Sequence, residues 1–319
     1  VAESVEGLLQ RPYGCGEQTI SSTYPNLMIL KFAKPESAIT AKAKRYLQKG
    51  YERLLGYQVV DGGFTYWGGK DTSDVALTAY ALRFLNDVST KIEVDPDVIK
   101  RAEDWLINQQ KADGSWAKLH RWETVEDLKR TKLTTSYVVR SLAMRKTSDK
   151  NALAKAFAYL KTRNTEIDEP YAMALFGLAS FDAGDIETAA SIARLLESMA
   201  IAEGSAVYWK LETNTPFYGW GTAGRIETTA LVTQLLIRSL NQIKNSELIS
   251  KAMLFLLKNK DRYGVWHSTQ TTINVLDTFL ASMSESKSGE PQTLSVSVNG
   301  TILQQIPLAA NNIEPIILD

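Results

Sequence analysis

The sequence has 319 residues, of which 44% are hydrophobic and 23% charged, an ordinary composition for a globular protein of about two domains. Lysine plus arginine equals aspartate plus glutamate at 36 each, so neither a basic surface for nucleic acid nor an acidic tail is indicated. No apolar run reaches the ~18 residues of a spanning helix, and a single cysteine excludes an internal disulfide framework. The chain opens at Val1 without methionine or a signal peptide, and we therefore expect it to be part of a longer protein.

The first motif lies at residues 12–18 and reads Pro-Tyr-Gly-Cys-Gly-Glu-Gln. Cys15 and Gln18 are three residues apart, a spacing at which helical side chains share a face. Gly14 and Gly16 allow backbone angles that other residues resist. A thiol and a carboxamide held this close can form an internal thioester with loss of ammonia, a stored electrophile that lasts only while nucleophiles are excluded. The alternative is an inert cysteine buried at a helix start.

Apolar residues recur at helical spacing from residue 20 to about residue 283, in pairs of segments. One set is rich in threonine, alanine and tyrosine and suits helices buried on all sides; its members start near Thr19, Asp74, Lys132, Asp168, Arg225 and Thr269. Amphipathic segments lie between them, at 37–55, 97–111, 150–162, 185–199 and 245–258. The alternation predicts an all-α fold, an α/α toroid of about six helical hairpins with parallel inner helices. An open solenoid with polar caps is the alternative.

Glycine-aromatic stretches precede several of the predicted inner helices, at 61–67, 113–116, 218–221 and 263–266. A glycine there makes a turn, and the aromatic ring fills the space between neighbouring hairpins. A stacking platform for sugars or nucleic acid is the alternative interpretation. The same position in each repeat favours packing.

The pattern changes after the last predicted helix, where residues 284–291 form a polar linker. Apolar residues alternate with serines over 294–298, Asn299 and Gly300 give a hairpin-turn signal, and 302–308 runs back. Two strands alone do not form a stable sheet, so we expect them to belong to a β-domain completed by other strands. The predicted domains are residues 1–284 and residues 285–319.

The pentapeptide from Gly14 to Gln18 is the thioester signature of the α2-macroglobulin and complement family. Residues 13 to about 283 resemble the thioester-containing domain of that family. The resemblance implies an α/α toroid inserted into a CUB-type β-sandwich, to which residues 285–319 would return. It also implies a thioester between Cys15 and Gln18, with Tyr13, Gly14, Gly16 and Glu17 supporting the motif.

The same resemblance implies a function for the parent protein. Proteolytic activation would expose the bond, and the acyl group of Gln18 would attach covalently to target hydroxyls or amines. Each molecule reacts once, so the chain is not expected to be a turnover enzyme. The parent would be a protease inhibitor or an opsonin-like defence protein, secreted or in a bacterial cell envelope. Expected partners are carbohydrate or protein acceptors, attacking proteases and neighbouring CUB and macroglobulin-like domains, without nucleic acid, cofactor or metal.

The chain has two histidines, His120 and His267. In the family, a histidine near the thioester takes the acyl group as an acyl-imidazole, whereas members with asparagine or aspartate there react directly, mostly with amines. Parallel inner helices would bring both histidines to the end of the toroid that holds Cys15. His120 lies in the loop of the family's histidine but about four residues early, with Glu123 as the candidate that orients it. His267 precedes the last inner helix and is the secondary candidate; a satisfied surface histidine is the alternative.

Two other functions fit parts of the sequence. Residues 110–116 match the glutamine-to-tryptophan repeat of terpene cyclases, which share the α/α toroid with prenyltransferases. No Asp-x-Asp-Asp cluster is present, and Cys15 lies at the opening of the chain rather than where a zinc ligand of those enzymes belongs. The second alternative is a binding module that has lost its thioester.

Overall fold

The structure, a computed structural model, describes residues 9–32, 37–123, 128–145, 149–162, 169–211, 213–217, 219–261, 265–285, 292–298 and 301–308. The helices are α1 Gly16–Phe32, α2 Ala38–Leu55, α3 Val75–Val88, α4 Pro96–Asn108, α5 Leu128–Ala143, α6 Lys150–Thr162, α7 Pro170–Asp182, α8 Ile186–Ser198, α9 Gly221–Arg238, α10 Leu240–Ile243, α11 Ser246–Lys258 and α12 Thr269–Glu285. The strands are β1 Ile201–Glu203, β2 Ala206–Tyr208, β3 Gln292–Val298 and β4 Thr301–Leu308.

The helices form a closed ring in two layers. Helices α1, α3, α5, α7, α9 and α12 each contact the next, and α12 contacts α1. Helices α2, α4, α6, α8 and α11 pack outside their inner partners α1, α3, α5, α7 and α9. The predicted α/α toroid is therefore confirmed, with closure between the first and last inner helices instead of the open ends of a solenoid.

The two layers follow from the composition of their helices. Helix α7 is buried continuously from its first residue to Ser180 because small and apolar side chains occupy every face. Helix α4 buries one stripe that includes Val98, Ala102 and Leu106 and leaves its other face to solvent. Asp95 caps α4 by accepting a hydrogen bond from Asp97 N at 2.9 Å, with proline at the first helical position. None of the described helices combines the length and the hydrophobicity that a bilayer crossing needs.

Buried tryptophans join the end of one outer helix to the next inner helix. The indole N–H of each donates to a leucine carbonyl at 2.7 Å, and the backbone N–H donates to a threonine hydroxyl at 3.0–3.1 Å. These tryptophans are Trp116, Trp209 and Trp266, bonded to Leu106, Leu196 and Leu256 and to Thr135, Thr229 and Thr272. This repetition supports the packing interpretation of the glycine-aromatic stretches.

One of the predicted aromatic positions differs from this pattern. Trp220, in the 218–221 stretch, is 73% exposed, and the buried ring at that point of the repeat is Trp209. Trp209 directly follows the short antiparallel hairpin of β1 and β2, which the helical periodicity did not predict. The hairpin brings the tryptophan back onto α8 and α9.

Strands β3 and β4 form the hairpin that the sequence predicted. They pair antiparallel, with Leu294 opposite Ile306, and the register shifts between Val296 and Ser297. Asn299 and Gly300, the predicted turn, lie outside the described residues. The domain boundary at residue 284 and the CUB-type assignment stay predictions.

Replacing the buried indole of Trp116 by phenylalanine tests the repeated contact. The Trp116→Phe variant removes the indole donor from the Leu106 carbonyl, which keeps Gln109 N at 3.1 Å, and leaves a gap beside a smaller ring. We therefore expect a loss of about 1–3 kcal/mol in the free energy of unfolding. Urea unfolding measures the change. Trp67→Phe, at a ring that is 72% exposed, is the matched control and should stay within about 0.5 kcal/mol of wild type. Equal small effects in both variants would contradict the structural role of the indole bond.

Candidate functional site

Cys15 and Gln18 lie at the start of the first inner helix. Helix α1 begins at Gly16, so Cys15 is its N-cap and Gln18 its third residue. The Gln18 side chain turns back, and its Oε1 accepts a hydrogen bond from Cys15 N at 3.1 Å. This is the return half of a capping box, in which a glutamine at the third position bonds the N-cap backbone. The motif spacing therefore brings the carboxamide onto the residue that carries the thiol.

The two glycines of the motif are required by close contacts. Gly14 has φ of 78°, and a β-carbon there would lie 2.0 Å from the Oε1 atom of Gln18. A β-carbon at Gly16 would lie 2.4 Å from the Thr65 carbonyl oxygen. Gly16 N also donates to the Tyr66 carbonyl at 2.8 Å. Any larger residue at position 14 would occupy the place of the carboxamide.

Residues from the outer layer hold the loop before α1. The Gly14 carbonyl accepts hydrogen bonds from Arg53 Nη2 at 2.6 Å and from Tyr57 Oη at 2.7 Å. Arg53 Nε donates to Thr19 Oγ1 at 3.1 Å, so one guanidinium joins the loop to the first turn of the helix. The sequence analysis missed both residues because they lie 39 and 43 positions from Gly14, with no local pattern linking them.

The site opens into a cleft at one end of the ring, about 440 Å³ in volume. Its walls come from α1, α9, α12 and the loop before α9, and they include Tyr13, Glu17 and Gln18 of the motif. Gln18 is exposed, Cys15 is half-buried, and Tyr13 is 57% exposed. Glu17 accepts a hydrogen bond from the Ser21 hydroxyl. Solvent and small nucleophiles can therefore approach the carboxamide from the cleft.

His120 is buried, with 1% of its surface exposed. Its Nδ1 lies 3.3 Å from both carboxylate oxygens of Asp74, and its Nε2 lies 2.6 Å from the Pro216 carbonyl oxygen. The ring also stacks on Trp122, with centroids 4.4 Å apart. Both nitrogens thus face acceptors, and the histidine ties the loop that carries Pro216 to the N-cap Asp74 of α3.

Glu123 occupies a different place from the one the sequence suggested. Its Oε2 accepts from the backbone N–H groups of Leu119 and His120 at 2.8 and 3.3 Å, and its Oε1 accepts from Arg130 Nε at 3.0 Å. The carboxylate at the imidazole ring of His120 is that of Asp74. Glu123 therefore orders the main chain of the loop, and Asp74 orients the ring.

His267 lines the same cleft as Gln18. It is exposed and has φ of 33°, an uncommon value for a residue with a β-carbon. The next residue, Ser268, accepts from Thr271 N at 3.1 Å and caps α12. The structure thus brings His267 and Gln18 to one cavity.

A buried carboxylate that the sequence analysis did not identify also lines the cleft. Glu227, on α9, is 2% exposed, and burial raises its pKa from 4.5 to about 7. Its Oε1 accepts hydrogen bonds from Tyr171 Oη at 3.0 Å and Asn274 Nδ2 at 3.3 Å. In the sequence it is a single acidic residue in an inner-type segment, which gives no sign that it faces a cavity.

A closed α/α ring with a Gly-Cys-Gly-Glu-Gln turn at the start of its first inner helix defines the class of thioester-containing domains. The family model described as the A-macroglobulin TED domain matches residues 1–281. The chain belongs to this family.

Relatives and a solved structure agree with the family. The chain is 27% identical over 241 residues to thioester-containing protein 1 allele S1 of Anopheles gambiae and 26% identical to allele S3. Each match covers 72% of this chain and 17% of the relative, so the chain corresponds to a small part of those proteins. A crystal structure of native alpha-2-macroglobulin from Escherichia coli, spanning domain MG7 to the C-terminus, matches 97% of this chain and 45% of that one. Its TM-score is 0.65 at 20% identity, which supports the shared fold.

The raised pKa of Glu227 predicts a pH-dependent stability. The unfolded chain ionises this carboxyl near pH 4.5 and the folded chain near pH 7. The native state therefore holds the extra proton between these values, and stability falls as pH rises through this window, by at most about 3 kcal/mol.

We expect the difference in the free energy of unfolding between Glu227→Gln and its parent to shift in favour of the variant from pH 5 to pH 8, because only the parent loses stability over this range. Urea unfolding at both pH values, in a Cys15→Ala background that removes thioester chemistry, gives the two free energies. Glu247→Gln, at an exposed position on α11, is the control without such a difference. An identical difference between variant and parent at both pH values would contradict the raised pKa.

Proposed function

We propose that Cys15 and Gln18 form an internal thioester through which the protein attaches covalently to a target. The observation that carries this proposal is the Gln18 carboxamide turned back onto the N-cap residue, with Oε1 3.1 Å from Cys15 N. The motif, the glycine contacts and the membership of the A-macroglobulin TED domain family support it. The relatives from Anopheles gambiae are themselves named thioester-containing proteins.

Formation of the bond is a substitution at the carboxamide carbon. Cys15 Sγ attacks Gln18 Cδ, the thiol proton passes to the amide nitrogen, and the C–N bond breaks with release of ammonia. Negative charge develops on Oε1 in the tetrahedral intermediate. The Cys15 N–H already points at this oxygen, and the N-terminal end of α1 favours negative charge there. The start of α1 therefore offers a hydrogen-bond donor and a favourable dipole to this oxygen.

In the attachment step, a nucleophile from the target cleaves the thioester. An amine or hydroxyl adds to the thioester carbonyl carbon, the C–S bond breaks, and Cys15 regains its thiol while Gln18 carries the new amide or ester. No step restores the first state, so each molecule reacts once. We infer that proteolysis of the full-length protein exposes the bond, that targets are surface carbohydrates, protein amines or attacking proteases, and that the protein is secreted or lies in a cell envelope. Its other domains would be the CUB and macroglobulin-like partners.

We infer that the acyl group is not transferred through the imidazole of His120. An acyl-imidazole at His120 needs a ring nitrogen that can reach Gln18, and both nitrogens face Asp74 or Pro216. The ring is fully buried beside Trp122, whereas Gln18 is exposed. The family membership also removes the support for a terpene cyclase. A module without a thioester is an outcome of the first test below.

Mass spectrometry of native full-length protein tests the thioester. We expect the tryptic peptide with Cys15 and Gln18 to lack one ammonia and to show no free thiol. Methylamine should add to Gln18 and release one thiol per molecule. Cys15→Ala is the control and should show neither the mass loss nor the addition. A free thiol and an unmodified glutamine in fresh wild-type protein would contradict the proposal and favour the binding module.

The His120→Gln variant tests whether the His120 imidazole takes the acyl group. We expect unchanged thioester content and transfer to glycerol within about twofold of wild type, because His120 acts through packing. The lost ring contacts should cost about 1–3 kcal/mol of unfolding free energy. A fall of roughly tenfold or more in ester formation, with the thioester intact, would instead assign the acyl-imidazole role to His120.

A further inference from the structure

Glu227 and Gln18 lie on the walls of one cleft, although they are far apart in the sequence. We propose that the Glu227 carboxylate is the general base of the acyl transfer: it removes the proton from the amine or hydroxyl that attacks the Gln18 thioester. This inference rests on the proposed thioester. It adds a proton acceptor from α9, an element outside the motif.

Two hydrogen bonds hold the carboxylate in one orientation. Oε1 accepts from Tyr171 Oη on α7 and from Asn274 Nδ2 on α12. Oε2 lies on the side of Gly219, 3.3 Å from where a β-carbon of that glycine would be, and Gly219 is itself on the cleft wall. Oε1 is therefore held by partners on α7 and α12, and Oε2 lies beside a residue of the cleft wall, where a base for a bound nucleophile is required.

The surroundings leave the carboxylate able to exchange a proton near neutral pH. Burial raises its pKa to about 7, and the charge of Arg83, which bonds Asn274 Oδ1 at 3.0 Å, limits the rise. Burial also raises the pKa of Tyr171 well above its usual value, so this phenol stays a donor. Among the described residues, the other titratable groups around Glu227 or on the cleft walls are Tyr13, Tyr80, Tyr137, Glu17 and His267.

The proposed step balances without any further reactant. The nucleophile's N or O bonds to the Gln18 carbonyl carbon while its proton moves to Glu227, directly or through one water in the cleft. The C–S bond then breaks, and its electron pair leaves on Cys15 sulfur. Glu227 gives the proton to this thiolate or to solvent and is ionised again. The proton of the nucleophile thus ends on the Cys15 sulfur or in solvent, and Glu227 returns to its ionised form.

The role fits the other groups near the site. His120 has both ring nitrogens facing acceptors, and Glu17 accepts from the Ser21 hydroxyl. His267 is the remaining basic side chain among the described residues of the cleft wall, and it is exposed with a strained backbone. A buried, oriented carboxylate is better placed than an exposed imidazole to act on a nucleophile inside the cavity.

The test measures thioester formation and transfer separately in native full-length protein. Wild type, Glu227→Gln and Glu103→Gln are compared, because Glu103 is also a buried carboxylate but lies on outer helix α4. The mass of the Cys15–Gln18 peptide gives thioester content. The rate of acyl transfer at pH 8 is measured as release of the Cys15 thiol in the presence of glycerol. Glycerol is used because its hydroxyls do not ionise in this pH range. We expect normal thioester content in both variants and a fall of roughly 10²-fold in rate for Glu227→Gln alone.

The outcomes distinguish the two proposals. Absence of a thioester in wild type would overturn the proposed function itself. A thioester in Glu227→Gln with transfer within about twofold of wild type would overturn only the role of Glu227. If this variant does not form the thioester, the pH profile of wild type decides. A rate that rises about tenfold per pH unit below pH 7 and then levels supports the base, provided that His267→Gln keeps the inflection. A flat profile, or one that His267→Gln abolishes, would overturn it.

Discussion

The site depends on one short-range constraint, the return of the Gln18 carboxamide onto the N-cap of α1. A helix start leaves backbone N–H groups without partners, and a glutamine at the third position is a common way to satisfy one of them. Here the capped residue is a cysteine, so an ordinary capping contact places a carbonyl beside a thiol. Gly14 is necessary because a β-carbon would occupy the space of the carboxamide. The cap of α1 and the glycine at position 14 thus follow from one geometric requirement, the return of the Gln18 carboxamide.

The ring extends this local geometry into a cavity. Inner helices packed side by side bring their N-terminal loops together, and the loop before α9 and the start of α12 become walls around Gln18. Polar side chains in these walls are fixed by partners on other helices, as Glu227 is by Tyr171 and Asn274. The toroid therefore does more than support the motif, because its packing determines which side chains line the cavity beside Gln18.

How much of this could be predicted depends on the sequence separation of the contacts. Cys15 and Gln18 are three residues apart, so their proximity follows from helical spacing, and the alternation of buried and amphipathic segments predicts the ring. Arg53 and Glu227 reach the site only through tertiary packing, which single-sequence periodicity does not encode. Helices α5 and α9 begin at Leu128 and Gly221, earlier than expected from Lys132 and Arg225, because charged residues and glycines in their first turns resemble loop sequence.

The ring of helices closes at the contact between α1 and α12, and the motif at residues 14–18 lies at the start of α1. In chain order, α1 is the first and α12 the last helix of the ring. A force applied to the chain before α1 or after α12 therefore acts first on these two helices. Their N-terminal ends border the cleft that contains Gln18 and His267. Any displacement of α1 against α12 therefore changes the width of the cavity, whereas Trp116 and Trp209 join hairpins away from this contact.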